Sequence, residues 1–274
     1  MRGPGRVLAG AAALWIFVAC LDVTSPVTGI ASITSVLLPS PSVVEHDVSR
    51  DTIGQVRPLQ VFAFAPNGDT VHDAVVRFFA IDSTRKLRVD SLTGIAVGDS
   101  LSPFARVVAR VTPANGKGVV QTVIVALPVV PTPDRVSQDT NIVFVFVQAT
   151  GSTDTLASGL ISPAFGDTVR GKGDTTVQSY VVRYQIVRAP PSTNGEPTVV
   201  LSDASGHDSS LFVTDGSGHA AAHLRIRTRS IAPTLVGGAT DSAFVVAHVQ
   251  YRGDALQITP TDTFKIAIRR NIGP

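Results

Sequence analysis

Short alternations of apolar and polar residues recur from about residue 32 to the end of the chain, separated by Gly, Pro, Asn and Asp residues. A period of two residues is typical of β-strands that bury one face. The run YVVRYQIVR at 180–188 shows this period, with Arg183 and Gln185 on one face. The opposite face carries Tyr180, Val182, Tyr184 and Ile186. No segment beyond the N-terminal 19 residues sustains a helical period, so an all-β fold is predicted.

Turn sequences predict tight reversals between neighbouring strands. Asn67-Gly68 fits a hairpin turn, because both residues tolerate positive φ at low cost. The sequence PANGKG at 113–118 supplies a turn between two further strands. Asp215-Gly216, between LFVT and AAAHLRIR, predicts another hairpin.

The composition indicates many short strands rather than a few long elements. The chain has 274 residues, of which 23 are Gly and 18 are Pro, and it is rich in Val and Thr. Frequent turns between short strands are typical of a sandwich or barrel. Three prolines fall close together near the middle of the chain. We therefore place a linker at 131–138, between one domain at 32–130 and a second at 139–274.

Several stretches resemble bacterial Ig-like domains of the kind found in invasin-type surface proteins. They are GQVRPLQVFAFAPNGDTVHDAVVRFF in the first half, and YVVRYQIVRAPP with LFVTDGSGHAAAHLRI in the second. The resemblance implies two tandem Ig-like β-sandwich domains that serve as a spacer, adhesion or protein-binding module. Antibody-type Ig domains pack a Trp on a disulfide. The only Cys and the only Trp of this chain lie within its first 20 residues, so the antibody type does not fit.

The N-terminal segment has the organisation of an export signal. Arg2 and Arg6 precede an apolar run at 7–19, which is shorter than the roughly 20 residues that a helix needs to cross a bilayer. A basic start, a short apolar core and small residues before the cleavage site describe a signal peptide. We place this signal peptide at 1–19.

The cleavage site resembles the lipobox of bacterial lipoproteins. It reads FVAC and ends at Cys20, although Phe17 stands where the motif usually has Leu or another aliphatic residue. An ordinary signal peptide is the alternative, but Phe17 is also too large for the small residues that such cleavage prefers. We therefore predict a lipid on Cys20, a flexible tether at 20–31, and a location in the cell envelope, at the outer membrane or cell surface.

Charge limits the partners that are expected. The net charge is +2, from 23 basic and 21 acidic residues that are spread along the chain. Nucleic-acid binding requires a concentrated basic surface, so it is not predicted. The expected partners are the membrane, through the lipid on Cys20, and a protein that the sequence does not identify.

One short motif resembles the active-site sequence of an enzyme family. Residues 98–102, GDSLS, resemble the nucleophile block of GDSL esterases, with Ser100 in the place of the nucleophile. Those enzymes need a later Asp-x-x-His on an α/β framework, whereas Asp69 and His72 precede the serine here and no βαβ alternation is present. We predict a non-enzymatic protein and keep the esterase as a remote alternative.

Two further sequence patterns could be interpreted as metal-binding sites. His219 and His223 lie about 13 Å apart on a strand, too far to share one ion, and form an outward row with Arg225 and Arg227. A solvated strand face is favoured, with a weak anion-binding stripe as the alternative. The acidic turns SDASGHD and TDGSG lack the spacing of an EF-hand loop, so calcium stays open but is not predicted. No metal and no cofactor is assigned.

A carbohydrate- or protein-recognition module of a surface complex is the main alternative function. Sugar-binding surfaces usually display exposed aromatic rings. This chain offers only Tyr180, Tyr184 and Tyr251, besides phenylalanines expected to be mostly buried. The count argues against glycan binding.

Overall fold

A computed structural model describes residues 29–82, 85–114, 119–138, 143–147, 164–227, 230 and 240–271, with the backbone alone at 143–147 and 269–271. Nearly all regular structure in this part of the chain is β-strand, and a 3-10 turn lies at Lys172–Asp174. The predicted all-β fold is confirmed. No helix within the described residues has the length and apolar character that a membrane span requires.

The strands of the described residues are short in the first half and longer in the second. The first half contains β1 (Ser32–Ile33), β2 (Val43–Val44), β3 (Ala63–Phe64), β4 (Val75–Ala80), β5 (Leu87–Val89), β6 (Ala96–Gly98), β7 (Arg106–Thr112), β8 (Gln121–Ala126) and β9 (Val129–Val130). The second half contains β10 (Pro133–Gln138), β11 (Val143–Val147), β12 (Phe165–Gly171), β13 (Val181–Arg188), β14 (Val199–Ser202), β15 (Leu211–Val213), β16 (His219–Ile226), β17 (Thr240–His248), β18 (Gln250–Tyr251), β19 (Asp254–Ala255), β20 (Ile258–Thr259) and β21 (Thr263–Asn271).

The second half is a sandwich of two five-stranded sheets with Ig topology. One sheet has the order β14-β16-β12-β10-β20 and the other β11-β21-β17-β13-β15. In an Ig domain strands A, B, E and D form one sheet and C, F and G the other. Here β10, β12, β16 and β14 occupy the A, B, E and D places, and β13, β17 and β21 occupy C, F and G. The strand order therefore confirms an Ig-like sandwich.

A cluster of aromatic rings fills the centre of this sandwich. The ring centroid of Phe165 lies 5.0 Å from that of Phe264 and 5.8 Å from that of Tyr184. The centroids of Tyr184 and Phe212 are 5.3 Å apart, and all three pairs are edge to face. The Tyr184 hydroxyl donates to the Ala220 carbonyl oxygen at 3.1 Å, which satisfies its only polar group. Edge-to-face pairs add about 0.5–1.5 kcal/mol each beyond their burial. The rings occupy the middle of a sandwich that, by sequence, has no disulfide.

The first half has a smaller and less regular arrangement. Its main sheet has the order β4-β7-β8, which matches the C, F and G places of an Ig domain. Two-residue ladders join β1 to β3 and β2 to β9, and a three-residue ladder joins β5 to β6. The core beneath these strands is built mainly from Val, Leu and Ala around Phe78.

A parallel ladder between β2 and β9 connects the two cores. Val43 and Val129, which are paired, pack in the core of the first half. Val44 and Val130, the next pair, pack in the core of the second half. Because successive side chains of a strand point to opposite faces, two residues per strand are enough to place one pair in each core. The domains therefore share a hydrophobic seam.

Three expectations from the sequence need correction. The linker at 131–138 is shorter, because Pro133 begins β10, which pairs with β12, and proline is tolerated at the first residue of a strand. The tether at 20–31 ends earlier, since Ile30 is buried against the first domain. The turn at 215–218 exists but does not close a hairpin, because β15 pairs with β13 and β16 with β12 and β14.

Candidate functional site

The lipidation site lies outside the residues that the structure describes. This applies to Cys20, to the signal peptide at 1–19 and to most of the tether. Lipidation therefore remains a prediction.

The residues of the esterase-like motif lie in separate loops. Ser100 follows β6, and its backbone N–H donates to the Lys86 carbonyl oxygen at 3.2 Å. Asp69 lies in the turn after β3, where the Asn67 side-chain amide donates to its carboxylate at 2.7 Å. Within the described part of the chain, no hydrogen bond joins Ser100 to Asp69 or His72. The geometry gives no support to a catalytic triad, and the absence of enzymatic activity stays a prediction.

The row of His219, His223 and Arg225 follows the predicted alternation along β16. These side chains are half-buried, while the residues between them include the buried Ala220 and Leu224. Arg225 Nη1 donates to the Asp208 carboxylate at 3.3 Å. In the described ranges no group of three or more His, Cys, Asp or Glu side chains is arranged to hold a metal ion.

The two acidic turns use their carboxylates to close themselves. Asp203 Oδ1 accepts from the backbone N–H of His207 at 2.8 Å and of Ser205 at 2.9 Å. Asp215 Oδ1 accepts from the backbone N–H and the hydroxyl of Ser217 at 2.8 and 2.6 Å. The His207 backbone bond lowers the pKa of Asp203, and the Ser217 hydroxyl lowers the pKa of Asp215. These carboxylates are structural elements of their turns.

Asp47 joins the two domains through an ion-pair network. Its side chain is only 5% exposed, and it accepts from Arg50 at 3.0 and 3.1 Å and from Val48 N–H at 2.8 Å. Arg252, 205 residues later in the chain, donates to it at 2.9 Å. Burial raises the pKa of Asp47, but the hydrogen bonds from Arg50, Arg252 and Val48 outweigh burial and lower the pKa to about 2. The carboxylate therefore stays charged and ties the β18-β19 turn to the first domain.

Further bonds between the domains surround Asp47. The Ser42 hydroxyl donates to the Ser179 carbonyl oxygen at 2.7 Å, and Arg183 donates to the Thr52 hydroxyl at 3.3 Å. The space that remains between these groups is about 40 Å³. Small-molecule sites usually have roughly 300–1,000 Å³. The junction is thus a packed contact between domains, without room for such a ligand.

The backbones of the two domains also approach each other closely at this junction. Gly54 has a φ of +84° at the tip of a tight loop, and a Cβ there would lie 2.1 Å from the Gly253 backbone nitrogen. Arg50 Nη1 also donates to the Gly54 carbonyl oxygen at 2.9 Å, which holds the loop in place. The loop of one domain therefore meets the turn of the other at a distance that only glycine permits.

The outer face of the β4-β7-β8 sheet carries exposed apolar residues. Phe79, Val108 and Ile124 lie side by side across the three strands. Phe79 is 45% exposed and Ile124 is 58% exposed. Phe79 also lines an open groove of about 840 Å³ between β4 and β5. We call the outward-facing residues of β4, β7 and β8 the outer sheet face.

Two arginines stand next to this apolar row. Arg77 and Arg110 are directly opposite each other on β4 and β7, two residues along from Phe79 and Val108. Neither forms an ion pair with any carboxylate of the described residues. Like charges directly opposite on neighbouring strands destabilise a sheet. The outer sheet face is therefore apolar and positively charged.

Sequence reasoning did not find either region. The residues that meet at the junction, such as Asp47 and Arg252, lie far apart in the chain, so no local sequence motif predicts their contact. The outer sheet face has a weak signal in ARVVARVT and QTVIVA, where apolar residues occupy both faces of the predicted strands. Which arginines face each other depends on the register between two strands. The alternation of residues within one strand does not give that register.

Comparison with known proteins gives a limited result. No family model matches the chain, and no curated protein matches it. Among solved structures, Yersinia pseudotuberculosis adhesin InvE shares 14% identity over 86% of this chain and 58% of its own, with a TM-score of 0.33. Mouse cadherin-23 EC22-24 shares 13% identity over 86% of this chain and 64% of its own, with a TM-score of 0.23.

A third similar structure is a protein of unknown function from Porphyromonas gingivalis. It shares 10% identity, with coverage of 86% of this chain and 99% of its own and a TM-score of 0.26. The chain spans less than two thirds of the adhesin and cadherin structures. Similarities of this size establish neither a family nor a function, and the assignment of an Ig-like fold rests on the strand order.

Proposed function

We propose that this chain is a non-enzymatic, lipid-anchored protein of the bacterial cell envelope that serves as a spacer and protein-binding module. The observation that carries the proposal is the outer sheet face, where Phe79 and Ile124 are exposed beside two arginines that have no acidic partner among the described residues. Exposed apolar patches on soluble domains mark interaction surfaces. The groove beside Phe79 is wide open to solvent, whereas small-molecule sites bury most of their ligand, so this face suits a protein better than a small ligand.

The spacer part of the proposal is supported by the junction. Asp47 and the β2-β9 seam hold the second domain against the first. A lipid on Cys20 leaves about ten residues before the buried Ile30, which span at most about 35 Å. The first domain would then stay near the membrane, and the junction would set the direction in which the second projects.

Glycan recognition has less support than protein binding. The Tyr180 and Tyr184 rings are 8% and 1% exposed, so they form no stacking platform. Among the described residues, three phenylalanines are more exposed than the sequence suggested: Phe62, Phe79 and Phe104. A phenylalanine ring has no hydrogen-bonding group with which to orient a sugar, so these rings favour an apolar protein contact.

The anchor is tested by expressing the chain with Cys20→Ala beside wild type, with Ser25→Ala as a matched control. We expect wild type and Ser25→Ala to incorporate radiolabelled fatty acid and Cys20→Ala to incorporate none, because the thiol of Cys20 is the predicted attachment point of the acyl chains. Protease added to intact cells then reports surface exposure. Incorporation of labelled fatty acid into Cys20→Ala, or none into wild type, would contradict a lipid on Cys20.

A further inference from the structure

We propose that the outer sheet face docks a β-sheet surface of a partner protein that presents an acidic side chain between two apolar ones. The inference rests on the proposed protein-binding role and specifies its surface and the chemistry of its partner. It is drawn from the register of three strands and from the charges of the described residues.

The order of side chains along the strands defines the complementary pattern. On β4 the outward residues are Phe79, Arg77 and Val75, which read apolar, basic, apolar. On β7, Val108 and Arg110 repeat the first two positions beside them. Outward residues two positions apart lie about 6.6–7 Å from each other along a strand. A strand stacked on this face in an aligned packing therefore matches it with apolar, acidic and apolar residues at alternate positions.

The paired arginines determine the charge of the partner. Arg77 and Arg110 face each other with no carboxylate of the described chain between them. The neighbouring Arg106 differs, because Asp82 lies 3.6 Å from its guanidinium group. A carboxylate placed over Arg77 and Arg110 accepts hydrogen bonds from both and removes their mutual repulsion. An anionic partner gains from this arrangement, and a neutral one does not.

A second copy of this chain does not fit the same face. A two-fold packing centred on Arg77 and Arg110 would bring the arginines of both copies together, and like charges at an interface oppose association. A membrane surface fits less well than a protein. Membrane-binding elements present an amphipathic helix or protruding basic and aromatic groups, whereas the apolar row here lies across a flat sheet.

The probe for this surface is a disulfide-cyclised β-hairpin peptide. One face of the hairpin carries valine, glutamate and valine at alternate positions, and a control hairpin carries glutamine instead of the glutamate. Binding to the full chain bearing Cys20→Ala is measured by calorimetry at low and at physiological salt. We expect the glutamate hairpin to bind about tenfold more tightly than the glutamine hairpin, with a difference that shrinks as salt rises.

Two arginine variants distinguish the proposed surface from other positive charges. Arg110→Gln is expected to weaken binding of the glutamate hairpin about fivefold. Arg135→Gln, which removes an exposed charge from the second domain, is expected to leave binding unchanged. Arg110→Gln should also raise the melting temperature of the free protein by about 1–2 °C, because it relieves the repulsion from Arg77. An arginine that served folding alone would give a lower melting temperature.

The proposal is overturned if the two hairpins bind equally, if neither binds, or if Arg110→Gln leaves binding unchanged. It is also overturned if vesicles of equal parts phosphatidylglycerol and phosphatidylcholine bind the chain through Arg110 while the hairpins do not. If these results occur while fatty acid is incorporated into wild type but not into Cys20→Ala, the surface is wrong and the anchored role stands.

Discussion

The two domains share the order of the C, F and G strands of an Ig domain but differ in the size and regularity of their sheets. The second encloses a core of interlocking aromatic rings between two five-stranded sheets, while the described first domain has one three-stranded sheet and several short ladders around Phe78. The first domain leaves Phe79 and Ile124 exposed on its main sheet. The second domain therefore has the larger core, and the first carries the surface that we propose for protein binding.

The largest expected effect is in the aromatic core of the second domain. Phe165→Ala removes a fully buried ring that contacts Tyr184 and Phe264. We expect a loss of about 3–5 kcal/mol in the free energy of unfolding, measured by urea denaturation. The matched control is Phe79→Ala on the outer sheet face, which should change stability by about 0.5 kcal/mol or less. Equal losses from the two variants would contradict the placement of Phe165 in the core and of Phe79 on the exposed outer sheet face.

The next effect is at the loop that touches the second domain. Gly54→Ala must adopt a φ of +84° and places a Cβ 2.1 Å from the Gly253 nitrogen, so the loop has to move. We expect a loss of about 2–3 kcal/mol and faster proteolysis near the junction. Gly68→Ala has a similar φ of +89° with no atom within 4 Å of the new Cβ.

The glycine control separates strain from contact. Gly68→Ala should cost only the strain of the left-handed conformation, about 1 kcal/mol, and should leave the junction resistant to protease. If Gly54→Ala behaves like Gly68→Ala in both measurements, the close approach of the two domains is wrong.

The ion pair of Asp47 gives a smaller effect with a pH signature. Its pKa is about 2 in the folded protein against an ordinary value of 3.8, so its stabilisation is complete above about pH 4 and is lost as the pH falls through 2. Ionised Asp47 is expected to contribute about 2 kcal/mol at most to the free energy of unfolding. Asp47→Asn should remove this amount at pH 7, and the difference in stability between wild type and the variant should shrink below about pH 4 and disappear below about pH 2. A difference that does not vary with pH would exclude an ionised Asp47 as the cause.

The smallest effect concerns a turn of the second domain. Asp215→Ala removes the acceptor of the bonds from Ser217 and should cost about 1 kcal/mol, as other lost caps and turns do. The melting temperature should fall in the presence and absence of calcium alike. Stabilisation by calcium that disappears in Asp215→Ala would show that the turn binds the ion.

The sequence was most informative where structure depends on neighbouring residues. Alternation at 180–188 placed Tyr180, Val182, Tyr184 and Ile186 inward; the structure buries the first three, and Ile186 is partly buried against the same core. The Asn67-Gly68 turn also formed, with Gly68 N–H donating to the Ala65 carbonyl oxygen at 2.9 Å, although β3 and β4 on either side of it pair with β1 and β7 and not with each other. Such features need only a local period or a local φ preference.

The sequence was least informative where distant strands meet. Asp215-Gly216 correctly marks a reversal, but a turn signal does not say whether the strands on either side pair, and here they enter opposite sheets. Prolines suggested a linker at 131–138, but Val136 is fully buried as part of β10. The contact of Asp47 with Arg252 depends on how two complete domains pack, so no window of the sequence contains it.

The central claim is that the junction fixes the two domains as one unit, and spin-label distances test it most directly. Cys20 is the only cysteine, so the background Cys20→Ala allows labels at Leu92→Cys and Ser205→Cys, one exposed site in each domain. The account predicts one narrow distance distribution that broadens when Gly54→Ala is added. A broad distribution already present without Gly54→Ala would contradict a fixed junction.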